Sequence, residues 1–252
     1  MALAIDLAGH CILITGGSSG IGAGIARRLS EAGAKVLIGY RTDRAAAETV
    51  AADCAGSAIL AADLTESGAA DRLFDQALEV VGRIDGLVNC AGPQTLAPFD
   101  ALDERDWASM QAAHVNAPAQ LIRRLAAHAS KAGHPAAVVN IASIEADRPA
   151  PAHAHYAVAK AGLVMLTRAA ALECGPLGVR VNAISPGLIG RPGIEAQWPE
   201  GVERWQKAAP LGRLGRPRDI ADATAFLLSP LASWITGANL VVDGGVSAGP
   251  GW

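Results

Sequence analysis

Short runs of branched apolar residues alternate along the chain with longer stretches in which apolar positions recur every three or four residues. The runs Cys11–Thr15, Lys35–Tyr40, Ala58–Ala61, Gly86–Asn89, Ala137–Ile141, Arg180–Ile184 and Asn239–Val242 read as strands. They are apolar throughout rather than alternating, which predicts strands buried on both faces. Helical periodicity covers Ile21–Ala32, Arg44–Ala52, Ala69–Val81, Glu104–Lys131, Tyr156–Leu172 and Asp219–Leu228. Strand and helix in regular alternation predict an α/β architecture, a doubly wound parallel sheet of seven strands with helices on both faces. Its ligand crevice lies at the carboxyl ends of the strands. No repeat or linker divides residues 1–252, so they read as a single domain. Residues 186–210 break the rhythm, being rich in Pro, Gly and Trp. A loop of that length inside a compact domain predicts a lid over a substrate site.

Composition narrows the function classes. Hydrophobic residues make up 51% and charged residues 18% of the 252, enough for a large core and too apolar for disorder. Aromatics are only 4%, so Ala and Gly carry close helix–sheet packing. A formal charge of −3 leaves no basic footprint for nucleic acid or an anionic membrane. Cys11, Cys54, Cys90 and Cys174 show no metal-ligand spacing and read as reduced thiols of a cytoplasmic protein. No metal site is expected. Met1–His10 lacks the basic region and apolar stretch of a signal peptide, and no apolar run approaches the roughly 20 residues of a membrane span.

The first strand runs straight into Thr15-Gly16-Gly17-Ser18-Ser19-Gly20-Ile21-Gly22 and then into a helix. Glycines there allow a tight turn and close approach of backbone to a pyrophosphate, while the helix N-terminus offers unpaired N–H groups. This is the phosphate cradle of a Rossmann fold, with Gly16, Ser18, Ser19, Gly20, Ile21 and Gly22 as cofactor-binding residues. The loop after the fifth strand opens with Ser143. Beyond it, Tyr156 and Lys160 stand one helical turn apart on one face. An ammonium beside a phenol is expected to lower its pKa and make Tyr156 a general acid/base. Asn116 precedes Pro118, which cannot donate to the carbonyl of His114, so a kink is expected in Glu104–Lys131.

Together these segments resemble the short-chain dehydrogenase/reductase family over essentially the whole chain. The marks are Thr15–Gly22, Asp63-Leu64, Asn89-Cys90-Ala91-Gly92, Asn116, Ser143, Tyr156-Ala157-Val158-Ala159-Lys160, Asn182 and Pro186-Gly187. The resemblance implies that Tyr156 exchanges a proton with the substrate oxygen and that Ser143 positions that oxygen. It implies that Lys160 tunes Tyr156 and binds the nicotinamide ribose, and that Asn116 carries a water-linked relay to Lys160. It adds Asp63, Leu64, Asn89, Ala91, Gly92, Pro186, Gly187 and Ile189, with Tyr156 and Lys160, to the cofactor site. Pro210-Leu211-Gly212-Arg213 and Val242-Asp243-Gly244-Gly245 resemble 3-oxoacyl-carrier-protein reductases, though such segments recur across the family. Two positions depart: Arg191 stands where a Ser or Thr is usual, and Cys90 replaces an asparagine. Either the backbone of Ile189 holds the carboxamide unaided, or Arg191 reaches a cofactor phosphate or an anionic substrate.

The end of the second strand bears on the choice of nicotinamide. Tyr40 stands where an NAD-selective acid would be, and Arg41 follows, a guanidinium suited to a 2′-phosphate. Asp43 and Ser19 argue the other way. NADP(H) is favoured, with NAD(H) possible. The substrate pocket is expected from Gln94, Ser143, Ile144, Glu145, His153, Tyr156, Trp198 and Trp205. The two tryptophans either line an apolar or ring-bearing substrate or anchor the lid. The expected function is an oxidoreductase moving a hydride between NADP(H) and a carbonyl or secondary alcohol. A rival is a catalytically silent nucleotide-binding sensor, which the retained Ser143, Tyr156 and Lys160 disfavour. Resemblance also implies a homotetramer. Glu104–Lys131 and Tyr156–Leu172 pair with their copies about one two-fold axis, and Asn239–Val242 lies at a second. The tail is expected to place Trp252 near a neighbour's pocket.

Overall fold

The computed structural model describes residues 5–249. Seven strands form one parallel sheet in the order β3-β2-β1-β4-β5-β6-β7. They are β1 (Cys11–Thr15), β2 (Lys35–Tyr40), β3 (Ala58–Ala61), β4 (Gly86–Asn89), β5 (Ala136–Ile141), β6 (Val179–Pro186) and β7 (Asn239–Val242). The helices are α1 (Gly20–Glu31), α2 (Arg44–Ala52), α3 (Ala69–Val81), α4 (Glu104–Gln111), α5 (Ala117–Ala132), α6 (Ala154–Cys174), α7 (Ile194–Gln197), α8 (Pro199–Ala208) and α9 (Pro217–Leu228). The doubly wound Rossmann architecture is the one its hydrophobic pattern predicts.

Sheet residues divide the core in two. Ile12, Ile14, Val36 and Ile38 pack with Ile25 and Leu29 of α1 and Ile220 and Leu228 of α9. On the opposite face Leu13, Leu37, Leu87 and Val138 meet Leu73 and Phe74 of α3 and Leu121 and Leu125 of α5. Neighbouring strand residues pointing to opposite faces explain why both must be apolar. The strand order reverses between β1 and β4, which opens a crevice above their carboxyl ends.

Two sequence readings need correction. The expected helix Glu104–Lys131 is three pieces: α4, a π-helical turn at Ala112–Asn116, and α5. The amide of Ala117 donates to the carbonyl of Ala112, five residues back, and Pro118, with no N–H, sits in the first turn of α5. The hydrogen-bond ladder is thus broken beside the proline, by a surplus residue in the π turn. Residues 186–210 are not an irregular loop, since α7 and α8 both lie within them. Gly193 at a positive φ of 79° starts α7 and Pro199 opens α8, two punctuation marks that hid short helices. Trp252 lies outside the described residues. Among the described residues no helix is long and apolar enough to cross a membrane.

Candidate active site

Parallel register brings the ends of β1, β4 and β5 side by side, Thr15 opposite Asn89 and Asn89 opposite Asn140. The Thr15 hydroxyl accepts from the amides of Cys90 and Ala91 at 3.0 and 3.1 Å, fixing the loop after β4. Asn89 Nδ2 donates to Asn140 Oδ1 at 2.8 Å, and Asn140 Nδ2 donates to Thr167 Oγ1 at 2.9 Å. Asn89 is thus a buried tie within the sheet, and it is not among the residues that line the cleft. Asn182 likewise ties β6 to the chain before β7, donating to the Ile235 carbonyl at 2.9 Å.

A cleft of about 300 Å³ runs over this edge, lined by Gly16, Ser18, Ser19, Tyr40, Arg41, Asp63, Leu64, Ala91 and Gly92 among others. The glycines below it are tightly placed. A Cβ on Gly16, whose φ is 65°, would lie 2.8 Å from Ala91 Cα, and one on Gly22 would run into the Gly16 carbonyl oxygen. Ser19 precedes α1, whose first turn holds Gly20, Ile21 and Gly22 and directs unpaired amides toward the cleft. An elongated cleft with a bare glycine floor at a helix N-terminus fits a dinucleotide pyrophosphate. At the far end Asp63 accepts from the hydroxyl and amide of Thr65, bonds that hold its carboxyl below the usual range. Asp43 is occupied as the cap of α2, accepting from the Ala46 amide at 2.9 Å. Arg41 is exposed beside it.

The chemical groups gather where β5 and α6 meet. Ser143 Oγ accepts from the Glu145 amide at 3.1 Å, and its side chain lies close enough to the Tyr156 phenol to pull its pKa down. Lys160 Nζ lies 5.4 Å from the centre of the Tyr156 ring and donates to the Ile141 carbonyl at 2.7 Å. Burial lowers the Lys160 ammonium from 10.5 to about 8. Burial also raises the Tyr156 phenol above its ordinary value, opposed by the Ser143 side chain and reinforced by Glu145 and Cys90. The expected lowering of Tyr156 by Lys160 is therefore overturned. Both groups are sunk in protein, and desolvation is the largest influence on the phenol. Asn116 closes the π turn with an exposed side chain that makes no hydrogen bond to Lys160.

His114, which the sequence reading noted only for its carbonyl, sits inside the π turn. It is 2% exposed, its Nε2 donates to the Pro93 carbonyl at 2.8 Å, and its ring meets the Tyr156 ring edge-on at 5.5 Å. Burial first, and then Lys160, lower its pKa to about 3, so it is a neutral spacer between the loop after β4 and the tyrosine. Its one sequence signal was Pro118, four residues on, which marks the broken turn. Gly92 must lack a side chain because the His114 ring fills that place.

On the open side of Tyr156 the structure brings Gln94, Ile144, Glu145 and His153 together. His153 Nδ1 donates to Glu145 Oε2 at 2.6 Å, and Gln94 Nε2 donates to Glu145 Oε1 at 3.4 Å. Pro186 ends β6, and the Gly187 amide donates to the Val242 carbonyl at 3.1 Å. Ile189 bridges to Gly215. Trp205 packs over Gly187, where a Cβ would come within 2.5 Å of the indole, so it anchors α8 to the sheet. Trp198, which caps α8, rests on Gly201 of that helix and stays half exposed. Arg191 donates to Gln197 Oε1 at 2.7 Å, which engages its guanidinium locally. Among the described residues no group of three or more His, Cys, Asp or Glu could hold a metal ion.

Comparison with known proteins agrees with this geometry. The family model described as Enoyl-(Acyl carrier protein) reductase matches residues 16–247. A 3beta-hydroxysteroid dehydrogenase from Eggerthella lenta is 38% identical, with 98% of this chain and 97% of the relative covered. A 2,5-dichloro-2,5-cyclohexadiene-1,4-diol dehydrogenase from Sphingobium indicum is 37% identical, covering 98% of this chain and 100% of that one. The crystal structure of acetoin dehydrogenase from Enterobacter cloacae superposes with a TM-score of 0.88 at 30% identity, over 98% of this chain and 99% of that one. The chain belongs to the short-chain dehydrogenase/reductase family, as an NAD(P)-dependent oxidoreductase acting on alcohol donors.

Proposed function

We propose that the protein interconverts a ring-bearing secondary alcohol and its ketone, with Tyr156 as general acid/base and NADP(H) favoured over NAD(H). The observation that carries this is the placement of Lys160, buried with its Nζ 5.4 Å from the centre of the Tyr156 ring, with Ser143 just beyond the end of β5. The bound nicotinamide supplies the hydride acceptor or donor. Ser143 holds the substrate oxygen next to the phenol, and Tyr156, kept protonated by burial, donates its proton to that oxygen in reduction. In oxidation it must take the proton up, and Lys160 is the cation available to favour its phenolate. Asn116 is assigned a relay role toward Lys160 at the surface of the π turn. Gly16, Ser18, Ser19, Gly20, Ile21 and Gly22 bind the pyrophosphate, Asp63 and Leu64 the adenine, and Ala91, Gly92, Pro186, Gly187 and Ile189 the nicotinamide half.

The exposed Arg41 at the cleft supports NADP(H), while Asp43, two residues on, serves as the cap of α2. Two relatives named for ring alcohols support a ring-bearing substrate. Residues 186–210 are assigned as the substrate lid, hinged beside the Trp205 anchor. Exposed Val158, Met165 and Leu172 on α6, and Leu240 and Val241 on β7, support a homotetramer assembled on those two faces. A panel of cyclic ketones and secondary alcohols, followed in the nicotinamide absorbance band with each cofactor, tests the reading. Turnover of none of them would defeat it.

A further inference from the structure

Gln94 comes from the loop after β4 and Glu145 and His153 from opposite ends of the loop 144–153, and none of the three is needed for the proton transfer assigned to Tyr156. They nevertheless converge beside it. The Glu145 carboxylate accepts from His153 at 2.6 Å and from Gln94 at 3.4 Å, and the His153 ring stands 6.2 Å from the Tyr156 ring at 75°. The Glu145 amide donates to Ser143 Oγ, so this glutamate rests directly on the residue that holds the reacting oxygen. The side chains of His153 and Glu145 are 16% and 15% exposed, shielded from bulk water yet still open on one face.

A pair that only latched the loop 144–153 would consume its hydrogen-bonding capacity. This one does not. A carboxylate offers about four acceptor positions, and Glu145 uses two, one of them long. His153 Nε2 has no partner among the described residues and is not enclosed. No arginine or lysine forms an ion pair with Glu145 among the described residues, and the nearby loop arginines donate elsewhere. Arg148 donates to the carbonyls of Ser247 and Gly249 at 2.6 and 3.3 Å, and Arg191 donates to Gln197. A substrate carboxylate or phosphate placed here would face Glu145 uncompensated. A neutral hydroxyl can donate to the carboxylate and accept from the Gln94 amide.

We propose that Glu145, held by His153 and Gln94, is a hydroxyl-recognition site that accepts a hydrogen bond from a second hydroxyl on the carbon next to the one oxidised. The preferred substrates are then neutral vicinal diols and the matching α-hydroxyketones, over simple mono-alcohols and over hydroxy acids. This deepens the functional reading above and rests on Tyr156 as its proton-transfer group.

The test compares cis-1,2-cyclohexanediol with cyclohexanol as matched substrates for wild type, Glu145→Gln and Glu145→Leu, with kcat and KM determined for each. In wild type kcat/KM for the diol exceeds that for the mono-alcohol by roughly 10- to 100-fold, the range of a hydrogen bond to a charged group. That ratio falls to near one in Glu145→Leu and takes an intermediate value in Glu145→Gln. A proportional loss on both substrates, with the ratio preserved, would assign Glu145 to loop structure and overturn the proposal, as would a wild type without preference for the diol. If wild type turns over neither alcohol, the oxidoreductase reading fails separately, and calorimetric titration of the two alcohols into the cofactor-loaded protein decides the site. Diol binding at least tenfold tighter than cyclohexanol in wild type, and not in Glu145→Leu, supports it; equal binding overturns it.

Discussion

Replacing Lys160 with Met keeps most of the side-chain volume and removes an ammonium that burial holds near a pKa of 8 instead of 10.5. Lys160 is 4% exposed, so nearly all of that charge is sheltered from water. In the unfolded chain the ammonium returns to its ordinary value. Across about pH 8 to 10.5 the unfolded state therefore binds more protons than the folded one, and stability rises with pH in that window. Below pH 8 the folded protein carries the whole cost of the shift, about 3 kcal/mol at 1.36 kcal/mol per unit. The Met variant has no such group. The unfolding free energy of wild type minus that of Lys160→Met should climb by about 2–3 kcal/mol between pH 7 and pH 10. Urea titrations of both proteins without cofactor, at several values in that range, measure it. Tyr156 titrates with the opposite sign at higher pH, but both proteins contain it and the subtraction removes it. The absolute offset at one pH is less informative, because the variant also strands the Ile141 carbonyl, at a cost of about 1–3 kcal/mol. A flat or falling difference would refute the claim that Lys160 is buried as a strained cation.

Tyr156→Phe should abolish turnover while leaving calorimetric cofactor affinity nearly intact, because only the transferable proton is lost; substantial residual turnover removes Tyr156 from that role. Arg41→Ala should weaken NADPH by roughly 10- to 100-fold and hardly change NADH, as expected of a charge-assisted phosphate contact. Equal losses for both nucleotides would count against NADP(H) selectivity. Sedimentation at micromolar concentration should report a tetramer, and an active monomer would contradict assembly through α6 and β7.

The sheet was legible because parallel strands covered on both faces must be apolar at every position, a pattern that needs no tertiary information. β6 still runs to Pro186, beyond the expected Ile184, because its partner β7 continues to Val242 opposite. Ser143, Tyr156 and Lys160 were legible as a spacing along one loop and one helix. The direction of the Tyr156 shift was not, since it depends on how much protein surrounds the phenol, and no local spacing encodes that. His114 was hidden for a related reason. Its partners are Pro93 and Tyr156, distant in sequence, and only the extra residue of the π turn points its ring between them. The helices α7 and α8 were masked by the Gly and Pro that begin them, residues that mark loops as often as caps.

The π turn also sets how change in one helix reaches another. An α-helix rotates about 100° per residue, so the surplus residue at Ala112–Asn116 offsets the phase of α4 from that of α5. Leu121, Ile122 and Leu125 hold α5 to the sheet whatever α4 presents. Substitutions along α4 can therefore accumulate without turning α5 in its seat, which insulates the sheet from drift in the helix nearest the substrate loops. A single-residue deletion inside the turn would do what no substitution there can. It would join the two helices into one phase and swing His114 by about a quarter turn from Tyr156, coupling every later change in α4 to the reacting group.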